Sequence, residues 1–207
     1  MLTPPRCVNL LITFQIALVA AACSGTPVSP TPLRETSAAM ALASPSGPSF
    51  AAPPDAPLLQ SYTVQFTGVG PDRTPVTTYA ESGFTLSATL ADWIAYGDGS
   101  SIVFYTSTDP SMSGEITVRT DEGLSLFRFT SVELYSSLTP IPYVFTGSLR
   151  GNTVFTESGT VPNTFGRFAQ VSSAYSNVPI DTLVIRLTNA KACCVNPMGL
   201  DNLVLRR

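Results

Sequence analysis

The residues of this chain that could do chemistry are carboxylates, hydroxyls, tyrosines and one pair of adjacent cysteines, because it contains no histidine. Without an imidazole there is no Ser-His-Asp or Cys-His nucleophile, no histidine ligand for zinc and no acid–base group poised near neutral pH. Catalysis would have to run on carboxylates, on Ser-Lys chemistry or on a metal held by oxygens. Asp121-Glu122 is the one directly adjacent acidic pair, and Gly123 beside it reads as a hairpin turn. Glycoside hydrolysis instead needs two carboxylates at a fixed separation across a sugar ring. The E-x-D-x-E pattern of some jelly-roll glycosidases and the G-x-S-x-G elbow are both missing. The residues therefore point away from an enzyme.

Two local groups remain. The stretch LADWIAYGDGSS holds the only tryptophan, Trp93, together with Asp92, Tyr96 and Asp98. Aromatic rings that stack on the C–H faces of a sugar, with carboxylates for its hydroxyls, make a carbohydrate site, and these four could supply one from a single loop. Against that, a lone tryptophan between Ala91 and Ile94 is more often a core residue. Gly97-Asp98-Gly99 is most simply a turn, with Asp98 also suited to a loop calcium ligand. The second group is Cys193-Cys194, which precedes the last apolar run. Adjacent cysteines bridge only through a strained eight-membered ring outside the usual Cα separations. Export favours oxidation, so a vicinal disulfide is expected first, with free thiols and a bridge to another chain as the alternatives. The pair lacks the C-x-x-C spacing and the α/β context of a redox enzyme.

These groups must be positioned by something, and the composition says what kind of frame to expect. The formal net charge is −3, only 12% of residues are charged, and the sole lysine is Lys191. No basic patch emerges from that spacing, so nucleic acid is excluded as a partner. Residues 8–22, VNLLITFQIALVAAA, are almost wholly apolar and follow a short segment with Arg6 as its only basic side chain. The run is shorter than the roughly 20 residues of a spanning helix and suits the core of a signal peptide. Ala20, Ala21 and Ala22 then precede Cys23. This resembles the lipobox of bacterial lipoproteins, although the pattern more often has leucine where Ala20 stands. The resemblance implies cleavage before Cys23 and its acylation with fatty acids such as palmitate. Two acyl chains give stable membrane anchoring where one does not. An ordinary secretory signal cut near Ala22 and a retained membrane helix are the alternatives. Ser24 carries no aspartate retention signal, which in a Gram-negative cell implies the outer membrane.

Residues 23–59 change character to Pro, Ser, Ala and Thr without a period of 2 or 3.6, a composition that predicts a disordered linker. Extended at about 3.1 Å per residue, it could hold a domain as much as ~100 Å from its anchor. From residue 60 onward apolar and polar residues alternate. SYTVQFTGV, FTLSATL, SIVFYTS, GEITVRT, LSLFRFTSVELYSS, YVFTGSL, TVFTESG, RFAQVSS, DTLVIRLTN and LDNLVLR each read as a strand. Turn signals such as Gly70-Pro71-Asp72 and Asp109-Pro110 separate them, and LRGNTV at 149–154 predicts a tight hairpin. No segment has a helical period. The expectation is an all-β domain over 60–207, a two-sheet sandwich of jelly-roll type.

Within that domain, Glu81-Ser82-Gly83-Phe84, the central FRFTSVELYSS, YVFTGSLRGNTVF and the closing GLDNLVLRR resemble the galactose-binding-like β-sandwich, which includes many carbohydrate-binding modules. The resemblance implies that Glu81 and Asp201 jointly hold a structural calcium ion. Calcium takes six to eight oxygens, so backbone carbonyls and water would have to complete the shell. Otherwise Glu81 is solvated at a turn and Asp201 hydrogen-bonds backbone amides at a strand start. Taken together, the sequence leads to an exported lipoprotein that binds polysaccharide or glycoconjugate at the cell surface without catalysis. The alternative is a structural or protein-interaction lipoprotein of the envelope with no sugar ligand.

Overall fold

A computed structural model of the chain describes residues 59–207, with 124, 192 and 193 excepted. Cys23, the signal and most of the expected linker lie outside the described residues. The elements in chain order are β1 (Ser61–Val64), β2 (Thr78–Glu81), β3 (Phe84–Leu90), β4 (Trp93–Tyr96), β5 (Ser101–Thr106), β6 (Ser113–Thr120), β7 (Arg128–Ser136), β8 (Ile141–Leu149), β9 (Asn152–Val161), β10 (Phe168–Ser172), β11 (Thr182–Thr188) and β12 (Asn196–Arg206). They form two antiparallel sheets. The first runs β10-β7-β12-β5-β4, with β1 also paired to β12, and the second runs β2-β3-β6-β11-β8-β9. The fold is thus all-β and a sandwich.

Alternation builds the core. Residues of β-branched and aromatic type point inward from both sheets and meet as Phe84, Phe104, Phe127, Phe129, Phe145, Ile116 and Leu134, all essentially buried. Phe84 meets Phe127, and Phe129 meets Phe145, edge to face at centroid separations of 5.4 and 5.0 Å, the geometry the ring quadrupoles prefer. The predicted hairpin is present: Arg150 (φ 52°) and Gly151 (φ 78°) form the two-residue left-handed turn between β8 and β9.

Three elements differ from the sequence expectation. β2 and β4 span four residues each, too short for a period of 2 to stand out. β4 lies inside LADWIAYGDGSS, so that stretch is a strand and hairpin, not one loop. Its free edge is closed by the incoming chain, with Arg73 N donating to Ala95 O and Val76 N to Trp93 O, both at 2.8 Å. β12 begins at Asn196, earlier than the apolar run suggested, because Pro197 and Gly199 mask its alternation.

Within the first sheet, β7 and β12 each switch faces partway. Phe127 and Phe129 point into the core, yet so do Val132 and Leu134, four residues that an unbroken period of 2 cannot place together. Bulges between Asp201 and Leu205 accommodate the switch on both strands, with Asn202 at φ 44°. One consequence is that Glu133 and Tyr135 face outward.

Candidate functional site on the outer face of the first sheet

The register sets out the residues that share this outer face. Phe168 pairs with Tyr135, Tyr135 with Gly199 and Gly199 with Val103, while Tyr96 pairs with Ser101 one step along. Strands lie about 4.8 Å apart, so β4 and β7 are separated by the widths of β5 and β12. Even so, the Tyr96 and Tyr135 rings approach to 5.4 Å between centroids and their hydroxyls to 3.0 Å. The two rings therefore reach toward each other over the intervening strands. Gly199 lies between them, and a Cβ there would meet Ile102 O and fall 2.5 Å from Val103 Cγ1. On the other side Tyr135 meets Phe168 at 5.1 Å. The Tyr135 hydroxyl also bonds Ser137 Oγ at 2.8 Å, extending a chain of hydroxyls from Tyr96 to Ser137. The hydrogen bond between the two phenols, together with burial, pushes Tyr96 up to about 12, so Tyr96 stays protonated at any physiological pH.

Beside the rings, further along β7 and β12, lies a polar group. Glu133 and Asp201 are directly opposite each other. Asn202 ties them together, its side-chain amide donating to Glu133 Oε2 at 2.9 Å and its backbone N–H to Asp201 Oδ1 at 2.6 Å. On β10, Gln170 pairs with Glu133 and donates to Ser131 Oγ at 3.2 Å. Partial burial raises the Asp201 carboxyl to about 6, against the pull of the Asn202 N–H, and the negative charges of Glu133 and Glu81 add to the rise. Rings and hydrogen-bonding groups thus stand side by side on one sheet face.

The four residues expected to act together from the 90–101 stretch do not converge. Trp93 is 2% exposed, packs on Phe104 at 4.9 Å and donates its indole N–H to Leu90 O at 2.9 Å. Its ring belongs to the core, which overturns its role as a stacking platform: β4 alternates, and Trp93 falls on the inner side. Tyr96 falls on the outer side and alone joins the ring cluster. Asp92 and Asp98 are exposed at opposite ends of β4.

The calcium expected of Glu81 and Asp201 meets a different arrangement. Glu81 Oε2 accepts from Gln65 N at 3.0 Å, Phe66 N at 2.8 Å and the Tyr79 hydroxyl at 3.0 Å. That oxygen is saturated by donors, and it clamps the turn at Phe66, whose φ is 57°. Glu81 is therefore no solvated turn residue either. Among the described residues no three acidic, cysteine or histidine side chains gather into a group able to hold a metal. Glu81 is near enough for its charge to act on Asp201, and any calcium shell on these two carboxylates would be completed by backbone carbonyls and water. Cys194 is disulfide-bonded. Its expected neighbour in that bond, Cys193, lies outside the described residues.

No protein-family model matches the chain, and no curated protein matches it. Among solved structures it is similar to a family 29 carbohydrate-binding module from Piromyces equi, with 12% identity, 72% of this chain and 90% of that one covered, and a TM-score of 0.46. It is also similar to the family 32 carbohydrate-binding module of C. perfringens NanJ in complex with galactose, at 14% identity, 62% and 98% coverage and a TM-score of 0.42. A third is an arabinose-bound α-L-arabinofuranosidase, at 12% identity and a TM-score of 0.43, with 69% of this chain but only 25% of that one covered.

The ring cluster is backed by a buried hub at the start of β12. The side chain of Asn196, fully buried, donates to Ser136 Oγ at 2.8 Å and Thr139 Oγ1 at 3.0 Å. Its oxygen accepts from Ser137 N and Leu138 N at 3.2 and 3.0 Å. All the bonding capacity of the amide is used, and the β7–β8 loop beside Tyr135 is held by it. The chain enters at the other end of β12, where Gln60 and Arg207 exchange backbone hydrogen bonds of 2.8 and 3.0 Å. At about 3.3 Å per residue, an eleven-residue strand puts the hub on the order of 30 Å from that entry. Tyr135, Phe168, Glu133 and Asn202 were not singled out from sequence, because the bulges decide which way they face.

Proposed function

We propose that this chain is an exported, lipid-anchored protein that binds polysaccharide or glycoconjugate through the outer face of the first sheet, without catalysis. The observation that carries the reading is the ring row Tyr96–Tyr135–Phe168 set beside the Glu133–Asn202–Asp201 group. A sugar ring has one face of C–H groups and a rim of hydroxyls. Rings supply apolar contact for the first, and carboxylates and amides supply acceptors and donors for the second. The fixed hydroxyl chain keeps the rings from reorienting on binding, which lowers the ordering cost.

The anchor half of the proposal rests on residues 1–23, with cleavage before Cys23, a linker over 23–59 and the binding domain over 60–207, a sandwich we read as of jelly-roll type.

The purified chain should retain a defined set of immobilised polysaccharides in affinity electrophoresis, and Tyr96→Ala should lose that retention while keeping the melting temperature within a few degrees. Retention unaltered by Tyr96→Ala would move the site elsewhere. No retention across plant, fungal and bacterial polysaccharides would favour the envelope protein-interaction reading. Separately, Cys23→Ser should move the protein from the membrane to the soluble exported fraction; continued membrane association would remove the lipid anchor.

A further inference from the structure

Phe165 is the most exposed large apolar side chain of the described residues, at 83%. It also has φ 51°, a conformation in which a bulky side chain is disfavoured. The β9–β10 loop enforces this geometry. Asn163 Oδ1 accepts from Phe165 N at 2.7 Å, the Thr164 hydroxyl donates to Ser136 O at 2.8 Å, and Gly166 N donates to the same carbonyl at 3.2 Å. The loop is thus fastened to the end of β7, next to Tyr135. Gly166 faces the Tyr135 hydroxyl closely enough that a Cβ on it would sit at 3.7 Å, and three residues after Phe165 comes Phe168, the last ring of the row.

Within the free molecule this arrangement has a cost and no return. A strained backbone is usually kept where the side chain it places is buried or bonded, and Phe165 is neither. Its backbone is held by the loop and its ring is offered to solvent, on the segment fastened beside Tyr135. Leu138 at 51% and Val195 at 65% are exposed on the neighbouring loops, and both adjoin the Asn196 hub. An exposed aromatic that continues an existing aromatic surface extends whatever that surface binds.

We infer that Phe165 is a specificity-determining lip: it contacts the saccharide chain where it leaves the sheet face, so the protein selects extended chains over single sugars and disaccharides. The inference rests on the carbohydrate reading of the first sheet. A short ligand is satisfied by Tyr96 and Phe168 alone. A longer one runs past Phe168 and meets the Phe165 ring, whose backbone the loop already holds, so only side-chain freedom is lost on contact. Glycine would suit φ 51° better than phenylalanine does, so stability and binding should move in opposite directions at this position.

The experiment is calorimetric titration of the full chain with manno-, gluco- and xylo-oligosaccharides of two and of six residues, for wild type, Phe165→Ala, Phe165→Gly and Phe165→Trp. For the series that binds, the hexasaccharide should lose about tenfold in affinity with Phe165→Ala or Phe165→Gly and be restored by Phe165→Trp, while the disaccharide is unaffected. Phe165→Gly should melt at or above the wild-type temperature, so its weaker binding is no folding defect. Equal affinities for the hexasaccharide in wild type and Phe165→Gly overturn the lip while leaving the carbohydrate reading intact. A wild type that binds polysaccharide through Tyr96 but shows no preference for the hexasaccharide overturns it as well. If wild type binds no saccharide of any length, the carbohydrate reading fails first and the lip falls with it.

Discussion

The outer faces of the two sheets are built from the same kind of alternating strands but carry different chemistry. Across the second sheet, one register row reads Thr78, Ser87, Thr117, Val184, Thr146 and Thr156, with Arg186 and Glu115 paired at 2.6 Å nearby. Hydroxyls of this kind are well served by water, and threonine is favoured in strands for its branched shape alone. Across the first sheet, the same outward positions hold Tyr96, Tyr135, Phe168, Glu133 and Asp201, and several are partly or wholly buried. Val103 and Tyr135 face outward but are already covered, at 0% and 5% exposed, which leaves Tyr96 and Phe168, both half-buried, to offer ring surface. A hydroxyl face gains little by exchanging water for another polar partner, whereas a ring face releases apolar surface on contact, at roughly 25 cal/mol per Å². Ring for ring, the first sheet's face gains more from an apolar contact than the hydroxyl face does.

Substitutions on each sheet separate the two faces. The largest effect is expected at Asn196, which supports the loop behind the rings. Asn196→Ala leaves two backbone amides and two hydroxyls without their partner in a buried setting, so thermal or denaturant unfolding should show a loss of about 3 kcal/mol. A loss below about 1 kcal/mol would mean that water replaces the amide and that the hub is not what holds the face. Next comes Tyr96→Ala, for which affinity should fall by about 10–100-fold, or about 1.4–2.8 kcal/mol. Thr117→Ala, the matching change on the second sheet, should leave binding as it was. The reverse pattern would exchange the roles of the two faces.

Smaller effects are electrostatic. The Asp201 carboxyl titrates at about 6 when folded, against about 3.9 unfolded. Between those values the folded state holds more protons, so stability falls as pH rises from about 4 to about 6 and is level above that. Asp201→Asn should flatten this slope and raise stability at pH 7 by about 1 kcal/mol, less than the shift alone would give because the group is half exposed to solvent. An unchanged pH profile would show that burial does not hold the Asp201 proton in the folded protein. EDTA tests the calcium site at Glu81 and Asp201: a fall of several degrees in melting temperature would support it, and an unchanged melt would leave Glu81 as a clamp on Gln65, Phe66 and Tyr79 alone. Smallest of all, Arg186→Ala on the second sheet removes an ion pair whose arginine is half exposed, and should cost under ~1 kcal/mol.

How far the sequence could be read follows from the same strands. The alternation of Ile116–Val118 and Leu183–Leu187 marked strands correctly, because side-chain period and burial agree along them. Trp93 was open between core and platform because a four-residue strand carries too few positions to tell its faces apart. Tyr135 was beyond reach for a different reason. An unbroken alternation would put it on the same face as Phe127 and Phe129, in the core, and only the bulge near Thr130 and Ser131 turns it outward. Phe165 shares this property: nothing in PNTFGR announces a ring held at positive φ, since the constraint comes from Ser136, nearly thirty positions away. The fold was legible where the rule was local, and the site was hidden where strand irregularities and distant hydrogen bonds set which way a side chain points.

The most direct test of the account is a pair of NMR titrations on the isotope-labelled protein with a polysaccharide fragment that it retains. Amide shifts should move in a contiguous patch over Tyr96, Tyr135, Phe168, Asp201 and Asn202, and the row from Thr78 to Thr156 should stay still. Shifts concentrated on the second sheet, or spread over both faces, would contradict the claim that the ring-bearing face is the binding surface.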